Sequence, residues 1–203
     1  MSIAPRASAC APADVEAWLA ELGLAPLERA DREGVTSWDL RLDGRRRASL
    51  RVTIILDPAL ALICWAHYAP PIADAFRKSY RKLLRWNDEL PFVKFSVGED
   101  ERPLLLVEIP AALVSRDTLG IALAREVAVA DRLHDETLAW LKAAGWPTDP
   151  PTPEQLDGPG LRLVARYAAE LGELLEPAGD RVDEDGVEPL ALAAGDDVDE
   201  DAS

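Results

Sequence analysis

Apolar residues fall at helical spacing between Pro12 and Gly23, then switch to strict alternation from Trp38 onward. Val15, Trp18, Leu19 and Leu22 share one face of a first helix, with Pro12 suited to its first turn and Gly23 to its stop. Trp38-Asp39-Leu40-Arg41-Leu42 predicts a strand, and Asp43-Gly44 behind it has the residues of a tight hairpin turn. A second strand runs from Ala48 to Leu56 and a third from Leu60 to Tyr68. Pro70-Pro71 then removes the backbone donors that further pairing would need. Helical spacing returns from Ile72 to Asn87, with Ile72, Phe76, Tyr80, Leu83 and Asn87 facing inward. Phe92–Val97 and Leu104–Ile109 form a fourth and fifth strand. Ser115 caps a long helix whose stripe Leu119, Leu123, Val127, Ala130, Leu133, Thr137 and Leu141 predicts one continuous rod of about 40 Å, ending near Lys142.

These elements predict an α+β fold: a five-stranded, mainly antiparallel sheet with helices packed on one face, plus an extra C-terminal helix. Residues 1–10 are expected to be a flexible N-terminus and residues 11–145 the α+β domain. Residues 146–160, rich in Pro and Gly, form an extended linker. Leu161, Val164, Ala168, Leu171 and Leu175 make an amphipathic helix over residues 161–176, and residues 177–203 form an acidic disordered tail.

At least two of the strands are apolar on both faces. If Leu50, Val52, Ile54 and Leu56 face the helices, Ile55 falls on the outer face. The third strand points outward either Ile63, Trp65 and His67, the favoured set, or Leu62, Cys64 and Ala66. On the fifth, Glu108 marks an outer row with Leu104 and Leu106. Three occupants compete for that apolar platform: the chain's own 161–176 helix, a second copy in a homodimer, or a client peptide or protein.

Charge narrows the partner. The formal net charge is −15, and residues 177–203 carry ten acids against Arg181 alone. Such a chain repels phosphate backbones, so nucleic acid is not expected as a partner. On the middle helix, by contrast, Arg77, Lys78, Arg81, Lys82 and Arg85 form a basic flank. Arg77, Arg81 and Arg85 are assigned to steering acidic client segments; simple solvation, or contact with the acidic tail, are the competing readings.

Catalytic chemistry is absent from the pattern. No Gly-x-Ser-x-Gly elbow or phosphate-cradling glycine loop occurs. Asp131, His134 and Asp135 share one helical turn, but no second cluster completes a metal site, so neither a metal nor a cofactor is expected. Cys64 reads as a buried hydrophobe and Cys10 as part of the N-terminal tail, which suits a reducing cytoplasm. The string before Cys10 lacks the apolar stretch of an export signal, and the run Val52–Ala66 is too short to span a bilayer.

Three motifs carry a family resemblance: Leu83-Leu84-Arg85-Trp86-Asn87 followed by Val93-Lys94-Phe95, Val107-Glu108-Ile109-Pro110, and Val129-Ala130-Asp131. Together with the element order, they make residues Trp38 to Asp135 resemble the YbjN family and, through it, type III secretion chaperones. The resemblance implies an α+β fold, homodimerisation and non-enzymatic, chaperone-like binding of extended peptide segments. A regulatory or structural subunit docking through its C-terminal helix is the alternative function.

Overall fold

A computed structural model describes residues 10–71, 77–143 and 145–175. The expected acidic tail, Ile72, Phe76 and residues 1–9 of the expected flexible N-terminus lie outside the described residues. Cys10 lies within them and is not part of a loose tail: it is buried against the core.

The sheet has six strands, one more than expected: β1 (Glu28–Arg32), β2 (Val35–Leu42), β3 (Leu50–Asp57), β4 (Ala61–His67), β5 (Lys94–Val97) and β6 (Pro103–Pro110). Their order is β1-β2-β3-β4-β6-β5, with every neighbouring pair antiparallel. The extra strand, Glu-Arg-Ala-Asp-Arg, has no large apolar residue, so alternation cannot reveal it. Its charges suit a sheet edge, where they discourage pairing with another chain. The two-residue turn lies at Glu33-Gly34, both at positive φ, and joins β1 to β2. Asp43-Gly44, expected as that kind of turn, instead opens a longer loop to Ser49 between β2 and β3.

Strand alternation sorts the sheet as expected. Trp38, Leu40, Leu42, Leu50, Val52, Ile54, Leu56, Leu62, Cys64, Ala66, Leu105, Val107 and Ile109 are buried on the inner face. Helices α1 (Pro12–Glu21), α2 (Arg77–Glu89) and α3 (Arg116–Arg132) cover it. The long rod is broken: α3 ends at Leu133 and α4 (His134–Ala143) starts anew. Thr137 Oγ1 donates back to the Leu133 carbonyl at 3.0 Å, and that carbonyl sits at the break.

The proline-rich stretch holds a single-turn helix, α5 (Pro153–Leu156), whose Gln155 amide donates to Asp43 at 3.0 Å. The C-terminal helix is not one piece but α6 (Pro159–Arg166), α7 (Ala168–Leu171) and a 3₁₀ turn Gly172–Leu175. These pack on α3, on the side away from the sheet, burying Leu163, Tyr167, Leu171 and Leu174. Contact is close because Gly120 has no side chain: a Cβ there would lie 2.4 Å from the Tyr167 ring. The Tyr167 hydroxyl donates to Asp117 at 3.0 Å. The fold is therefore three layers: sheet, α3, and the C-terminal helices.

Candidate protein-binding face

Register places the expected platform residues side by side on the outer face. Ile55 pairs with Ile63 across β3 and β4, Thr53 with Trp65, Trp65 with Leu106 across β4 and β6, and His67 with Leu104. Ile55, Ile63, Trp65 and Leu106 are half-buried. Leu104 is only 5% exposed yet stands apart from the main core, tucked against the Gly98 turn that precedes β6. None of the described helices has its packing surface on this face; the C-terminal helices lie on α3 instead.

A polar network missed in the sequence borders the apolar row. Thr53 Oγ1 donates to Asp39 at 2.6 Å, the Arg51 guanidinium pairs with the other Asp39 oxygen, and His67 Nε2 lies 3.5 Å from Thr53 Oγ1. Burial works against ionisation of Asp39, but its bonds from Thr53 and Arg51 outweigh it and hold the carboxyl below its ordinary range. Burial, aided by the Arg51 charge, pushes the His67 imidazole down, favouring its neutral form. The signal was present: Asp39, Arg51 and Thr53 occupy the positions that alternate with buried residues. Beside them, Glu28, Asp39, Arg41, Arg51 and Pro147 line an open groove of about 530 Å³.

The cationic residues do not join this face. Helix α2 lies over the inner side of the sheet, with Trp86 packed on Phe95 at 5.3 Å, on Tyr68 at 6.4 Å and on Trp140 of α4 at 6.1 Å. Arg81 and Arg85 are exposed, and Arg77 occupies the first described position of the same helix. They therefore lie on the opposite side of the molecule from Trp65. Sequence spacing could group them with each other but not with the strands.

Two polar residues of the family-like motifs serve the scaffold. The Asn87 side-chain amide donates to the Phe95 carbonyl at 3.1 Å and accepts from the Phe95 N–H, as a neighbouring strand would. This closes part of the free edge of β5. Asp131 accepts from the backbone N–H groups of Arg45, Arg46 and Arg47 at 2.6, 2.9 and 3.0 Å, pinning the loop between β2 and β3. Asp135 pairs with Arg46. The trio Asp131, His134 and Asp135 is thus spent largely on that loop, and among the described residues no group of three such side chains is arranged for a metal.

Glu126 lies outside the apolar stripe expected of α3. It is fully buried on α3 beside the backbone of Ala66, and neither oxygen makes a well-formed hydrogen bond. Burial pushes its carboxyl well above the ordinary range. The helix stripe drawn from Leu, Val and Ala passed it by because a charged residue type reads as solvent-facing.

Among the described residues, no helix is long and apolar enough to cross a membrane. The model of the YbjN family, described as "Putative bacterial sensory transduction regulator", matches residues 11–139. No curated protein matches the chain.

Proposed function

The chain belongs to the YbjN family, and from that premise we propose that it is a non-enzymatic protein-binding module of regulatory type. Its outer sheet face shields an apolar or extended segment of a client protein. The observation that carries this reading is the row Ile55, Ile63, Trp65 and Leu106, contiguous across three strands and left half-buried. Completing the burial of such side chains is worth on the order of 1 kcal/mol each, so a small cluster supports a specific but reversible contact. The network Arg51–Asp39–Thr53–His67 gives the apolar row a polar rim, as protein interfaces have. Net charge favours protein over nucleic acid as the partner, and the reading needs neither a cofactor nor a membrane.

The test is capture of clients from native lysate by the wild-type chain and by Trp65→Glu, with Leu84→Glu on the helical side as control. A protein recovered by wild type and Leu84→Glu but lost by Trp65→Glu is the expected result. Equal recovery by all three removes the reading. Light scattering on the same samples addresses homodimerisation. A doubled mass that Trp65→Glu halves would make the face an interface between two copies, a reading favoured by the same apolar row. Docking into a complex through the C-terminal helix fits less well, because Leu163, Tyr167, Leu171 and Leu174 already spend that segment's apolar side on α3.

A further inference from the structure

We propose that the acidic segment 177–203 of this chain lies along the cationic face of α2 and is the intramolecular occupant of that face. The inference does not depend on the outer-sheet reading, since α2 is on the other side of the sheet. In sequence, α2 carries Arg77, Lys78, Arg81, Lys82 and Arg85 within nine residues, with no acid until Asp88. Arg77 and Arg81, Lys78 and Lys82, and Arg81 and Arg85 are each four residues apart, a spacing at which like charges on a helix repel. Lys82 pairs with Glu136 at 2.7 Å and lies 5.2 Å from the Trp86 ring centre. Arg81 is exposed and has no ion-pair partner among the described residues. Leu84, 68% exposed, borders the stripe on one side.

The complement is in the same chain. Residues 177–203 hold ten acids and one base, with two acidic clusters flanking the apolar run Pro189 to Ala194. The acids complement the cations of the stripe, and the apolar run complements Leu84 at its border. The described chain ends at Leu175, and an extended segment of this length spans up to about 90 Å, ample to reach α2 from the C-terminal helices. Attachment also raises the local concentration of the acids far above that of a free competitor. The consequence is regulatory: an acidic partner reaches α2 only by displacing this segment, and rising salt loosens the contact.

The chain's four lysines, Lys78, Lys82, Lys94 and Lys142, report the outcome from different faces. Lys142 is at the end of α4, whereas the Lys94 ammonium donates to the Asn87 carbonyl at 2.6 Å and so lies beside the C-terminal end of α2. The experiment is zero-length carbodiimide cross-linking of the full chain at micromolar concentration, with peptide mapping of the monomeric product. The Lys82–Glu136 pair serves as internal control that α2 is folded. The expected result is Lys78 or Lys82 joined to acids of residues 180–201, with yield falling at least fivefold in 0.5 M NaCl or in Arg81→Glu, Arg85→Glu. Tail acids joined to Lys142 and to neither lysine of α2, joined only in dimeric species, or not joined at all while the control forms, would each overturn it.

Discussion

Asp131 is the residue on which the hairpin between β2 and β3 rests. One carboxylate receives three consecutive backbone N–H groups, a charge-assisted arrangement whose loss would leave three donors without their acceptor. Asp131→Ala is therefore expected to cost about 2–3 kcal/mol in urea unfolding, and Asp131→Asn, which keeps one acceptor oxygen, measurably less. Glu126 makes the opposite kind of statement. Burial favours its protonated form in the folded state, whereas the unfolded chain leaves the carboxyl free to ionise. The folded chain thus binds the extra proton, and stability falls as pH rises above the ordinary carboxylate range, by at most about 1.4 kcal/mol per pH unit. Urea midpoints from pH 5 to 8 should decline in the wild type and stay flatter in Glu126→Gln. A decline of equal slope in both would show that another group is responsible. Neither role was visible in the sequence. Asp131 was grouped with His134 and Asp135 because spacing along a helix cannot show a loop some 85 residues earlier in the chain folding onto it.

At the scale of elements, legibility followed how each element buries itself. Strands β3 and β4 alternate cleanly, and β6 does so from Leu105 onward, because one face is in the core; Leu104 breaks the pattern, lying on the outer side yet buried. Strand β1 escaped because an edge strand can be all charge and no core. The break at Leu133 escaped because it uses neither Gly nor Pro. Helix α3 is buried nearly all round, with Gly120, Ala122, Ala124, Ala128 and Ala130 thin enough to fit between the sheet and the C-terminal helices. Hydrophobic spacing alone predicts only the sheet-facing stripe. The second contact depends on a notch: Gly120→Val would drive its side chain into the Tyr167 ring. That substitution is expected to release residues 159–175 while the sheet stays folded. Amide exchange in α6 should quicken by tenfold or more with β3 and β4 unchanged, and Tyr167→Ala should have the same signature with a smaller steric cause.

For the whole molecule, the question is whether the sheet has one core or two working faces, and two adjacent residues decide it. Leu105 and Leu106 are neighbours inside β6 and chemically identical. Leu105 is fully buried against the helices, whereas Leu106 pairs with Trp65 on the outer side and is half-exposed. If the outer row is a binding surface rather than part of the stabilising core, the two must separate stability from binding. Leu105→Ala should lower unfolding free energy by about 2–5 kcal/mol and leave client capture intact in the fraction that remains folded. Leu106→Ala should cost under about 1 kcal/mol, because much of its surface already meets water, yet reduce capture as Trp65→Glu does. Equal destabilisation by the two substitutions would mean that the outer row is held as tightly as the core, and a face so held has little apolar area left to offer a partner.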